Sequence, residues 1–157
     1  MQLTEVVEGF IRGIDPTVKV IWHDGAMESS ILDNTLYLNV EDFLYESANE
    51  DVLVSVLKEL GYIFDISVPT FMVLHELGHL LSRSAIKGDV VEHLALYELS
   101  VKHIAKLKEP YRMQAYYRLY LERLANEKAN EIYMHAYPRV KALDYLIKEA
   151  AQCMLSS

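Results

Sequence analysis

His75-Glu76-Leu77-Gly78-His79 is an H-E-x-x-H pentad set in an apolar run, with Phe71-Met72-Val73-Leu74 before it and Leu80-Leu81 after it. On a helix, residues four apart share a face, so the two imidazoles can reach one ion and Glu76 can reach a water beside it. Neutral imidazole is a good zinc ligand. A zinc with an open coordination position lowers the pKa of a bound water to about 7, where a nearby carboxylate can take its proton. Glu76 is the expected general base. The alternative is a buried helix that carries two histidines only for packing, but unpaired His and Glu among apolar residues are costly. The pentad therefore predicts a zinc-dependent hydrolase, in the first place a metallopeptidase.

Two histidines do not complete a catalytic zinc site. The metzincin continuation needs glycine three residues after the second histidine and histidine six after it; Ser82 and Ala85 stand there, which excludes that subclass. His93, His103 and His135 fit no ligand pattern and read as surface or helix-packing residues. Carboxylates offer more. On a helix, Glu122 shares a face with Ala115, Ala125, Asn126 and Ala129, small residues that let a neighbouring helix come close. Asn126, one turn on, can hydrogen-bond a ligating histidine or orient the carboxylate. Glu127, with Glu131 one turn later, resembles the N-E-x-x-x-D arrangement of thermolysin-like enzymes, but its helical neighbours Tyr116, Tyr120 and Leu124 are bulkier. Glu122 is the favoured third ligand and Glu127 stays open, with Glu92 and Glu98 more distant.

The elements that must position these groups can be read in order. Val6, Val7, Phe10 and Ile11 recur at helical spacing, predicting an amphipathic helix over 3–12 that Gly13 and Asp15-Pro16 end. Residues 18–23 and 35–40 are rich in β-branched, aromatic or alternating residues and read as strands. His23, at the end of the first, reads as a polar strand terminus. Residues 41–60 predict one or two helices, with a break near Ser47-Ala48-Asn49 and a stop at Gly61. Residues 62–68 fit either a third strand or a connector. Pro69 suits the first turn of the motif helix, which should run to about Ser84 before Lys87-Gly88-Asp89 turns the chain. Beyond the turn the spacing predicts helices over 90–107, from Tyr111 to about Ala136, and from Arg139 to Met154. The expectation is one α+β domain over residues 1–157, with a small N-terminal sheet and a helical C-terminal half.

Composition narrows the function classes. The 157-residue chain is 52% hydrophobic, enough for one real core, and its net charge of −8 argues against a direct grip on nucleic-acid phosphates. Protein or peptide partners are expected. Met1-Gln2-Leu3-Thr4-Glu5 lacks the basic start of a signal peptide, and no run of about eighteen uncharged residues suggests a membrane span, so the chain reads as cytoplasmic. The single cysteine, Cys153, belongs to no ligand spacing and reads as a bland thiol.

Three segments resemble the ImmA/IrrE family of small gluzincin-like metallopeptidases, found on mobile elements and in bacterial stress regulation. They are Thr35-Leu36-Tyr37-Leu38-Asn39, the apolar run with its pentad, and Glu122-x-x-Ala125-Asn126-x-x-Ala129-x-Glu131-Ile132-Tyr133-Met134. The resemblance implies a zincin-like fold, zinc held by His75, His79 and Glu122, and Glu76 as base. It further implies cleavage of a regulatory protein, often a helix-turn-helix repressor. The interval between His79 and Glu122 is long for that family and implies an extra helix, residues 90–107, to cover the cleft or bind a partner. An extended substrate is expected to add to a sheet edge such as strand 35–40, and Tyr133 and His135 are the candidate oxyanion donors. A different class of function is a zinc-containing regulatory protein that recognises a partner without cutting it. A deformylase-like hydrolase is disfavoured, because that ligand set needs a cysteine upstream of the motif.

Overall fold

Leu3, Val6, Val7 and Ile11 are all buried along one stripe of α1 (Leu3–Ile14), the first element of a computed structural model that describes residues 2–157. Three short strands follow: β1 (Lys19–Trp22), β2 (Glu28–Ser30) and β3 (Thr35–Leu38). Their order in the sheet is β1-β3-β2, with β3 parallel to β1 and antiparallel to β2, and Leu36 faces both Val20 and Ser29 in register. Asn34 turns β2 into β3 with φ at 49°, a left-handed conformation that asparagine tolerates better than most residues. Leu36 and Leu38 are fully buried, as befits the central strand. The expected sheet edge at 35–40 is thereby corrected: β3 is paired on both sides, and the free edges are β1 and β2.

Residues 41–60 form two helices, α2 (Glu41–Leu44) and α3 (Glu50–Glu59), closed by Gly61 at φ 92°. Residues 62–67 are a connector and not a strand. The motif helix, α4 (Val68–Leu81), carries proline in its first turn and buries every residue from Thr70 to Leu80 except Met72. A helix that is apolar nearly all round belongs in the interior. Its N-terminus is held from a distant part of the chain. The Asp144 carboxylate accepts hydrogen bonds at 3.0 Å from the Ser67 N–H, 2.7 Å from the Ser67 hydroxyl and 2.7 Å from the Thr70 hydroxyl.

The C-terminal half is α5 (Val90–Ile104), α6 (Tyr111–Tyr117), α7 (Tyr120–His135) and α8 (Tyr137–Ser156). The helix expected from Tyr111 to Ala136 is therefore two, broken at Leu119, whose φ of −61° and ψ of 145° are extended. The two pieces serve different cores. Tyr117 packs in a cluster with Leu53, Val56, Leu57 and Phe71, whereas α7 delivers Ala129, Ile132 and Tyr133 to the main core with α1, β3, α4 and α8. The break also removes Ala115 from the face that Glu122 shares with Ala125, Asn126 and Ala129. That small-residue face lies directly against α4: a Cβ added to Gly78 would collide with the Ala125 carbonyl oxygen. Glycine is what lets the two backbones come so close. α8 starts at Tyr137 with Pro138 inside its first turn. Among the described residues, no helix is long and apolar enough to cross a membrane.

Candidate metal centre

The helical interval on α4 and the close approach of α7 bring three side chains to one point. His75 Nε2 lies 3.1 Å and His79 Nε2 2.7 Å from Glu122 Oε2, and the donor atoms of the three residues lie within 4.8 Å of one another. Their side chains are 1%, 8% and 0% exposed, so nothing but their partners compensates for lost water. This buried group could hold a metal ion.

The hydrogen bonds around it suit that role. His75 Nδ1 lies 2.7 Å from Asn126 Oδ1 and donates its proton there, which leaves the Nε2 lone pair pointing at the Glu122 carboxylate. Two acceptors facing each other at 3.1 Å need a cation or a proton between them. Without a metal the proton serves: burial alone would push the His75 imidazolium down, but the Glu122 charge and hydrogen bond override it and hold His75 up at about 9. Burial likewise opposes ionisation of Glu122, and the two histidines reverse this and hold its carboxyl well below the usual carboxylate range. The donor set, two imidazoles and a carboxylate in a dry setting, fits a borderline cation such as zinc. Asn126 Nδ2 is fully buried and has no hydrogen-bond partner, so the amide is committed to His75 through its oxygen alone.

Glu76 stands outside the three-residue group but on the wall of the cleft that reaches it. The cleft holds about 370 Å³ and is lined by Ser29, Glu76, His79, Leu94, Tyr97 and Tyr116 among others. Burial, opposed by both histidines and by the nearby Ser29 hydroxyl, pushes the Glu76 carboxyl up. Two phenols face it. Tyr97 donates to Glu122 Oε1 at 3.2 Å, and its oxygen lies 2.9 Å from the Tyr116 hydroxyl. Burial first, then the Glu122 charge, pushes both phenols above their ordinary range, so both hydroxyls stay protonated, Tyr97 giving its proton to Glu122 and Tyr116 giving its own to the Tyr97 oxygen.

The chain matches no protein-family model, no curated protein and no solved structure.

What these residues can do follows from their own placement. Glu127 is exposed on the far side of α7 from Glu122, Glu92 is exposed on α5, and Glu98 reaches only the rim of the cleft. His23 is tied to the Ala26 carbonyl, His93 to the Lys87 carbonyl and His135 to the Glu131 carbonyl. The expected donors Tyr133 and His135 are corrected as well: the Tyr133 hydroxyl accepts from the Asp65 N–H, and neither residue lines the cleft. Tyr97 and Tyr116 line the cleft instead. Sequence reasoning missed them because a tyrosine on a helix without a buried stripe gives no sign of what it faces. Asp144 did carry a signal, as a carboxylate interrupting the buried series Val140, Leu143, Ile147 and Ala151. The extra helix expected over 90–107 is α5, and its Leu94, Tyr97 and Glu98 form one wall of the cleft.

Proposed function

We propose that this chain is a zinc-dependent metallopeptidase of the gluzincin type, zincin-like in fold and akin to the ImmA/IrrE proteins, that cleaves a cytoplasmic regulatory protein such as a DNA-binding repressor. The observation that carries this is the convergence of His75, His79 and Glu122 from two helices, with Glu76 one residue away on the wall of an open cleft. His75, His79 and Glu122 would hold the metal, which when bound supplies Lewis acidity toward a carbonyl and lowers the pKa of a water to about 7. Glu76 takes a proton from the attacking water and later returns it to the leaving amine. Tyr97, which keeps its proton on Glu122, positions the Tyr116 hydroxyl, and Tyr116 can turn from the Tyr97 oxygen to donate toward the oxyanion as it forms. Asn126 holds the His75 ring in the tautomer whose Nε2 is free. The substrate backbone lies along β2, the free sheet edge nearest the site, whose Glu28 and Ser29 line the cleft with Glu76.

One feature favours a second reading, a zinc-containing regulatory protein that binds its partner without cutting it. α5 already walls the cleft, and its Tyr97 already engages Glu122. Metal analysis and one variant separate the two. Purified protein should carry about one zinc per chain. Glu76→Gln should keep the metal and the fold but lower cleavage of a candidate regulatory protein by about 10²–10⁴-fold, followed by mass spectrometry of the products. Absence of any transition metal after zinc is supplied ends both readings, and stable partner binding with no cut by either protein selects the second.

A further inference from the structure

A second, larger groove adjoins the cleft. Pro69, Met72, Glu76 and His79 follow one another at three, four and three residues along α4 and so share one face of the helix. Glu76 and His79 border the cleft, and Pro69 and Met72 border a groove of about 510 Å³; Met27 lines both, so the two adjoin. Met27, Met72 and Met113 form much of the groove's apolar lining. Its polar side is of one sign: Glu41 and Asp42 of α2, Glu46 after it and Glu50 of α3, with no lysine or arginine among the lining residues.

We propose that this groove binds a basic, apolar-flanked segment of the protein substrate, within about four residues of the cut bond and on one side of it. Position follows from arithmetic. Seven helical residues from Pro69 to Glu76 rise about 10 Å, which an extended peptide covers in about three residues. The chemistry follows from the walls. Flexible methionines accept varied apolar side chains, and four carboxylates with no lysine or arginine among them favour Lys or Arg above them. Partial desolvation and the neighbouring Glu41 also push the Asp42 carboxyl up, against the pull of His23, and a cation over this pair would relieve it. The placement relative to a cut bond rests on the peptidase reading; the binding itself does not.

Two measurements keep these apart. In the first, the zinc-loaded Glu76→Gln protein is titrated with a short fluorescein-labelled peptide of alternating lysine and leucine, and with its glutamate-leucine counterpart. The lysine peptide should bind with an affinity that falls with salt and drops about tenfold or more when Glu46→Lys and Glu50→Lys are added, while the glutamate peptide binds no better than background to the Glu76→Gln parent. In the second, the active protein digests a mixed peptide library, and cut sites should be enriched in Lys or Arg within about four residues on one side, an enrichment that the charge reversals erase without lowering metal content. Equal binding of both peptides, or binding unchanged by the reversals, overturns the groove. Cleavage without basic enrichment overturns it too and leaves the peptidase standing. Selective binding with no cleavage at all upholds the groove and removes the peptidase.

Discussion

Glu122 spends both oxygens, one on the two imidazoles and one on Tyr97, which is why a single substitution there should undo the centre. Glu122→Ala is expected to abolish stoichiometric zinc binding, Asn126→Ala to weaken it by about 10–100-fold through the loosened His75 ring, and Glu127→Ala to leave it unchanged. A competition titration against a chelator ranks the three, and a larger loss from Glu127→Ala than from Glu122→Ala would unseat Glu122 as ligand. The pentad made His75, His79 and the neighbouring Glu76 legible in the sequence as one group, because fixed helical spacing converts directly into a shared face. The third was legible only as a preference among glutamates, since its position depends on where another helix docks. Ser29, Tyr97 and Tyr116 were not legible at all: each faces the site through a tertiary contact that no local pattern encodes.

Among the elements, α4 depends on two contacts with neighbours. The first is Gly78 against Ala125. In a bare helix, Gly78→Ala would be stabilising by about 1 kcal/mol, but here the new methyl meets backbone that cannot rotate away, and overpacking of this kind costs about 1–3 kcal/mol. The packing effect should win, lowering Tm and weakening zinc binding together, because Glu122 lies one turn from Ala125. A thermal melt and a metal titration that both match the parent would refute the close approach. The second contact is Asp144 at the N-terminus of α4. Burial raises its carboxyl, but bonds from Thr70, Ser67 and Lys148 outweigh this and hold it below its ordinary value. A carboxylate depressed in the folded state contributes stability that is complete above the unfolded pKa, about 3.9, and is lost as pH falls through the folded value. Asp144→Asn should therefore cost about 1–3 kcal/mol near neutrality and much less at low pH, flattening the acid limb of denaturation measured by chemical unfolding. α1, α4 and the paired helices α2 and α3 were readable from periodicity and from Pro69 and Gly61. β2 was not, because Glu28-Ser29-Ser30 has no apolar alternation, and neither was the break at Leu119, which has no glycine or proline beside it and is set by the two cores that α6 and α7 serve.

At the scale of the whole molecule, the sheet is a three-stranded platform with its best-packed strand in the middle and its most polar strand on the side of the cleft. An unpaired strand edge is open to any chain, including another copy of the same protein. β2 answers this with brevity and charge. It is three residues long, Glu28 is exposed, and the Ser30 hydroxyl is turned back onto Asp33 at 2.9 Å. Glu28→Val with Ser30→Val should convert it into a sticky apolar edge, so that light scattering at rising concentration shows association beyond that of the parent; unchanged scattering would mean that the edge is covered. The same polarity that hid β2 from a reading of the sequence should thus guard concentrated protein against pairing edge to edge and drifting toward aggregation.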